Sequence, residues 1–266
     1  MCLVTLNWQP ESPTPLTIAS NRDEFYARPT LALHRWPDER ILAGQDKKAG
    51  GTWLGLGWGQ QQSLSSARVA VLTNYRDISH QNANAPSRGH ITTAFLTGSM
   101  SAAAYLDQLA QTAVLYNPFN LMVFDGHALM GFESRHLRRF ALPPGISSVS
   151  NADFNTPWPK LQGLQSGVER ALSSAGQGSN LENALFDLLL NERLAADDEL
   201  PETGLPIQKE RALSAAFIRT ADYGTRASSV LRVGHHAAVF TERSFDADGL
   251  TGIVTQQIEW GTAQQA

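Results

Sequence analysis

The sequence predicts a layered α+β fold of sheets and helices. Short β-branched and apolar runs bounded by turn residues occupy both ends and the middle of the chain, and two blocks of helical period interrupt them. With 42% apolar and 17% charged residues in 266, the chain also has enough apolar material for a substantial core. "CLVTLNW" and "PLTIASN" flank the turn-forming "QPESPTP", which predicts a hairpin starting at residue 2. "TWLGLGW" and "RVAVLTNY", separated by the polar "GQQQSLSSA", read as two further strands, and the four together predict one antiparallel sheet early in the chain. After Ser87 the period changes: Ile91, Ala94 and Phe95 share a helical face, and Ala103, Leu106, Leu109, Ala110 and Ala113 define a second helix. These two helices are expected to cover the sheet.

"NLMVFDG", "ALMGFES" and "LRRFAL" return to short strands. A third helix starts at Trp158 or Pro159, with Leu161, Leu164, Val168, Ala171 and Leu172 on one side. A fourth starts at Ser179, with Glu182 at capping-box spacing and Leu181, Ala184, Leu185, Leu188 and Leu189 at helical spacing. The acidic, proline-bearing segment 195–208 reads as a surface loop, and "LSAAFIRT", "RASSVLRVG", "AAVFTERSF" and "GIVTQQIEW" read as strands. No compositional break divides the chain, so a single domain over 1–266 is expected.

Charge and cysteine count narrow the function. A net charge of -4 supplies no general attraction to nucleic-acid backbones or anionic lipid, so nucleic-acid partners are not expected. One cysteine forms neither an internal disulfide nor a multi-thiolate zinc site, and suits a reducing compartment. The N-terminus lacks the pattern of a secretory leader and no run approaches the roughly 18 apolar residues of a membrane span, so a cytoplasmic protein without an integral membrane segment is expected. No dinucleotide fingerprint, phosphate-cradling loop or zinc-protease helix is present, and the seven histidines show no ligand spacing, so no metal site is expected.

That leaves Cys2. Removal of Met1 would give residue 2 a thiol and a free α-amine whose ordinary pKa, about 7.7 to 8.0, suits it to take the thiol proton and return it to a leaving group. The bland alternative is a small apolar residue at a strand start. "SNRDEF" follows the second predicted strand; an arginine near the thiol favours thiolate, and a carboxylate orients the amine. Both roles require the hairpin to bring residues 22 and 23 beside residue 2, and the alternative is a solvated turn. Asn74 and Asn151, at strand ends, are suitable neutral oxyanion donors, and "YGTR" sets Arg226 at a strand start.

Taken as an ordered set, "MC", "NRDE" (21–24), "GGTWLG", "LTNYR", "SRG", "SNADFNTPWPK" and "YGTR" resemble the NRDE-motif family, the transport and Golgi organisation protein family, from Met1 to about residue 245. The resemblance implies an N-terminal nucleophile hydrolase fold, a four-layer αββα sandwich. A more distant similarity is to choloylglycine hydrolases and penicillin V acylases. By that matching Cys2 is the nucleophile, Arg22 and Asp23 the activating pair, Asn74 and Asn151 the oxyanion side and Arg226 the closing cation. The same motifs place Asn21, Glu24, Trp53, Tyr75 and Arg76 on the substrate-binding side. In those amidases the Arg and Asp are two residues apart, whereas here they are adjacent and on a strand would face opposite ways, which puts Glu24 in position to share or replace the role of Asp23. The implied activity is hydrolysis or acyl transfer at an amide or thioester of a small-molecule substrate, with no required cofactor. The alternative implied by the family is non-catalytic carriage of haem, or of an acyl or lipid ligand. A haem carrier needs an apolar cleft and an axial ligand, Cys2 or a histidine, and His90 is the least poor of the histidines without belonging to the site.

Overall fold

A computed structural model describes residues 2–37, 40–174 and 179–260 of the chain. Met1, on which the amine chemistry turns, lies outside the described residues. The first half contains β1 (Cys2–Trp8), β2 (Leu16–Phe25), β3 (Thr30–Arg35), β4 (Ile41–Asp46), β5 (Leu54–Trp58) and β6 (Ala67–Asn74). Helices α1 (Gly89–Thr97) and α2 (Ala102–Ala110) come next, then β7 (Phe119–Phe124), β8 (Leu129–Glu133), β9 (Arg138–Ala141) and β10 (Gly145–Val149). Helices α3 (Pro159–Ser174), α4 (Ser179–Leu189) and α5 (Ile207–Ala212) lead into β11 (Tyr223–Val233), β12 (Ala237–Asp246) and β13 (Gly249–Glu259).

The strands form two antiparallel sheets. One has six strands in the order β10-β1-β2-β11-β12-β13, the other seven in the order β3-β4-β5-β6-β7-β8-β9. The alternation of side chains along each strand sorts the apolar residues into three cores. Val4, Leu6 and Ile18 of the first sheet meet Leu54, Leu56, Val69 and Phe124 of the second. Trp8 and Phe124 meet edge to face there, with ring centroids 5.5 Å apart. The other face of the seven-stranded sheet, with Ala70, Leu72, Leu121 and Val123, packs on Ile91, Phe95 and Leu106 from α1 and α2. The other face of the six-stranded sheet, with Leu3, Ala19 and Val230, packs on Leu161, Leu164, Leu185 and Leu189 from α3 and α4.

The predicted hairpin forms, with β1 on β2 in register from Cys2↔Arg22 to Trp8↔Leu16. The four early strands do not share a sheet: β1 and β2 belong to one, β5 and β6 to the other. Local pattern reports a strand but not its distant partners. Three strands carry little signal in the sequence. β3 is mostly exposed with a register shift, β4 is interrupted by Gly44, and β10 is a glycine followed by isoleucine and two serines. "LSAAFIRT" is not a strand: it leaves α5 as turns and bends, and only Arg219 makes an isolated bridge. Ala215, Ala216, Phe217 and Ile218 are buried all the same, with Ala216 in the helix-side core. Ala113 belongs to a short 3-10 turn after α2, and the 195–208 loop contains another at Asp197–Glu199. α4 begins at Ser179 itself, while the residues before it and the side chain that would close the capping box lie outside the described residues.

The loop after β4 touches the first turn of α1 backbone to backbone. A Cβ on Gly51 would stand 2.4 Å from the carbonyl carbon of Gly89 and 2.7 Å from its oxygen, so only glycine fits there. Gly51→Ala is expected to destabilise the fold by about 1–3 kcal/mol, because neither backbone can yield as a side chain would. Urea denaturation of the two proteins measures it, and equal midpoints would refute the constraint.

Candidate functional site

Cys2 opens β1 and is buried, with 6% of its surface exposed. Its carbonyl accepts a hydrogen bond from Ser150 Oγ at 3.2 Å, which anchors the strand end against the loop after β10. Because Cys2 and Arg22 are cross-strand partners, their side chains share one face of the sheet. Val4, Leu6 and Ile18 identify it as the face toward the other sheet. There the Arg22 guanidinium lies 4.4 Å from the centroid of the Trp53 ring. Its Nη2 is 3.8 Å from Glu24 Oε2, and its Nη1 donates to Thr30 Oγ1 at 3.4 Å.

Asp23 points the other way. The odd positions of β2 face the helices: Ala19 packs there, and Asn21 donates to the carbonyls of Leu189 and Ala216, each at 2.8 Å. β2 neither bulges nor ends at residue 23, since it runs to Phe25, and the register shift lies instead in β11 between Thr225 and Ala227. Asp23 Oδ1 accepts from Thr225 Oγ1 at 2.8 Å, and the residue still lines the edge of the cleft that Cys2 lines. Burial pushes the Asp23 carboxyl up, opposed by the positive charge of Lys160, the Thr225 hydrogen bond and Arg22. Burial also pushes the Cys2 thiol up, with Asp23 and Glu24 adding to the rise and Arg22 opposing it.

The cleft has a volume of about 390 Å³ and is lined by Cys2, Arg22, Asp23, Glu24, Trp53 and Asn74 among the sequence-predicted residues. Asn151 lies behind it. Asn151 Nδ2 donates to the carbonyl of Asn74 at 2.9 Å and its own carbonyl accepts from Arg76 N at 2.7 Å, so it clamps the end of β6. Tyr75 and Arg76 leave the cleft for a second cavity, where Arg76 Nη1 pairs with Glu210 Oε2 at 2.5 Å and its guanidinium stacks on Trp158. Arg226, the extra residue at the β11 bulge, is not at the cleft. Its Nη1 donates to the carbonyls of Phe25, Tyr26 and Arg28 at 3.0–3.1 Å and its Nε to that of Phe245 at 2.9 Å, which ties down the β2–β3 turn. Asn21 is likewise occupied on the opposite face, with the end of α4 at Leu189 and the segment after α5 at Ala216. Among the described residues, Glu133, His136 and Asp153 approach one another as metal ligands would, but the Glu133 carboxylate is held by Arg138 at 2.6 Å.

Residues missed in the sequence complete the site. Arg28, Asp46, Lys48 and Arg88 line the cleft, with Arg28 Nη2 2.5 Å from Asp46 Oδ2. Lys160, on the first turn of α3, donates to the Leu213 carbonyl at 2.9 Å, and burial brings it down to about 8 against the opposing pull of Asp23. Arg88 and Lys160 stand in "SRG" and "PWPK", so the motifs carried a signal for both. Arg28 precedes β3 and Asp46 ends β4, strands that the sequence did not reveal, and carried none.

The family model for Transport and Golgi organisation 2 matches residues 1–247. The chain is 34% identical to a Bos taurus Transport and Golgi organization protein 2 homolog, over 92% of this chain and 93% of the relative. It is 32% identical to a Homo sapiens homolog over 98% and 99%, and 28% identical to the Drosophila melanogaster protein over 82% and 81%. The chain belongs to the Transport and Golgi organisation 2 family. In this family member, among the described residues, no helix is long and apolar enough to cross a membrane.

Behind Arg22 lies Glu242 of β12, 2% exposed, accepting from the Leu33 N–H of β3 at 2.8 Å and so joining the two sheets. Burial raises its pKa from 4.5 to about 6, against the hydrogen bonds it accepts and the Arg22 charge. The folded state then holds a proton that the unfolded chain has released, so this residue's contribution falls as pH rises from 4.5 to about 6. Glu242→Gln is expected to gain about 2 kcal/mol relative to wild type at pH 7 and to be indistinguishable below pH 4.5. Denaturation at both pH values tests this, and a pH-independent difference would contradict it.

Proposed function

We propose that this family member is an acyl-transferring or hydrolytic protein with Cys2 as nucleophile, acting on an amide or thioester. We further propose that its two sheets and helix pairs are the αββα sandwich of N-terminal nucleophile hydrolases, working as one domain over 1–266. The observation that carries the reading is the cross-strand pair Cys2↔Arg22 at the edge of a polar cleft. In the proposed step Met1 is absent, the α-amine of Cys2 takes the thiol proton, and Sγ forms a bond to the acyl carbon. The amine returns that proton to the departing nitrogen or sulfur as its bond to the acyl carbon breaks. Water then gives a proton to the amine as its oxygen bonds to the acyl carbon, the C–Sγ bond breaks, Sγ takes that proton from the amine, and the carboxylic acid leaves. Asn74, which lines the cleft at the end of β6, supplies the oxyanion donor, with Asn151 fixing its backbone. Asp23, from the other face, serves the amine rather than the thiol, and Lys160 helps keep it ionised. Glu24 acts through Arg22 and Arg28, each 3.8 Å from its carboxylate.

The charged lining favours this reading over haem carriage, which calls for an apolar seat. Intact mass spectrometry of the cellular protein is expected to show loss of Met1. Incubation with panels of acyl amides and acyl thioesters is expected to give an acyl adduct on Cys2 that Cys2→Ala abolishes. Retention of Met1, or a blank across both panels with a thiol that remains reactive, would sink the hydrolase reading.

A further inference from the structure

The charges around Cys2 do not cancel inside the cleft. Arg28 and Asp46 satisfy each other, and Glu24 is shared between Arg22 and Arg28. Asp23 is turned toward the helices and held by Thr225. Two cations on the wall, Arg88 and Lys48, then have no ion-pair partner among the described residues. Arg88 is the more telling of the two. It is half-buried at the start of α1, and burial holds its pKa down to about 10 although the negative forms of Cys2 and Glu24 favour its charge. Its Nη1 donates to the Pro118 carbonyl at 3.0 Å, while its Nε and Nη2 make no hydrogen bond among the described residues. A partly desolvated guanidinium with one edge unused is built to receive a planar anion, because two parallel N–H groups match the two oxygens of a carboxylate. The backbone contact of Gly51 with Gly89 sets the neighbouring residue in place.

We propose that the substrate taken at Cys2 carries a carboxylate, seated on Arg88 with Lys48 at the outer rim. The proposal rests on the nucleophile reading above and adds the substrate's charge to it. It also gives the cleft a reason to be polar: cations lining a narrow cleft raise the local concentration of a matching anion.

The test uses the chain's lone cysteine, which makes labelling unambiguous. Iodoacetate and iodoacetamide react alike: Sγ forms a bond to the CH2 carbon, iodide leaves with the electron pair of the C–I bond, and the thiol proton passes to buffer. They differ in a carboxylate against a neutral amide. Alkylation rates are measured by mass spectrometry on the folded protein and on the same protein in urea. The iodoacetate-to-iodoacetamide ratio is expected to rise at least about tenfold on folding. It should fall with added salt, be lost in Arg88→Gln and be only partly kept in Arg88→Lys, which retains the charge but not the two parallel N–H groups. Using a ratio removes any general effect of the substitution on thiol reactivity, and the salt dependence of the unmodified chain stands even where a variant fails to fold. Brisk reaction with both reagents at the unfolded ratio would overturn the carboxylate inference and leave the nucleophile standing. An anion preference undiminished in Arg88→Gln would overturn the seat assigned to Arg88. Inertness of the folded thiol toward both reagents would fell the nucleophile reading, and this inference with it.

Discussion

The antiparallel register of β1 on β2 decides where the side chains of Cys2 and Arg22 go. Seven consecutive pairs, from Trp8↔Leu16 to Cys2↔Arg22, are locked because Val4, Leu6, Leu16 and Ile18 must face the other sheet. A slip of one residue would turn that apolar set outward and carry Cys2 to the helix side of the sheet. Burial of the hairpin's apolar face therefore positions the thiol as a by-product. With the thiol fixed, Arg22 beside it extends over Trp53 from the opposite sheet, so the site includes both sheets.

The same alternation divides the NRDE run between two environments. Arg22 and Glu24 point toward the other sheet, whereas Asn21 and Asp23 face the helices, Asp23 still at the cleft's edge and Asn21 accepting from Ser228 Oγ at 2.6 Å and donating to the Leu189 and Ala216 carbonyls. Four adjacent polar residues thus divide between the cleft on one face and cross-links toward the helices on the other. Arg226 belongs to the second kind: the bulge that frees it from the ladder lets it gather three carbonyls of the β2–β3 turn, and that turn delivers Arg28 to the cleft. Asn151 does for the end of β6 what Arg226 does for this turn.

Much of the fold was legible in the sequence where a segment's own pattern decides its structure. The hairpin, α1, α3 and the final three strands arise from periodicity and turn residues. β3, β4 and β10 escaped because short or exposed strands impose little pattern, and "LSAAFIRT" misled because burial alone explains its apolar residues without any ladder. The motif set pointed at Cys2, Arg22, Asp23, Glu24, Trp53 and Asn74, which line one cleft, and also at Asn21, Asn151, Tyr75, Arg76 and Arg226, which the structure sends elsewhere.

The sequence by itself determined the family, the hairpin that begins at Cys2 and the conflict between adjacent Arg22 and Asp23, because each depends on residues close together in the chain or on an ordered motif set. Only the tertiary structure decided that the early strands separate into two sheets, that Arg226 is consumed by backbone carbonyls, and that Arg28, Lys48 and Arg88 join the thiol. The physical reason is pairing at a distance: hydrogen-bond partners, buried charge and the closeness of Gly51 to Gly89 depend on which segments pack together, and local periodicity carries no record of that choice.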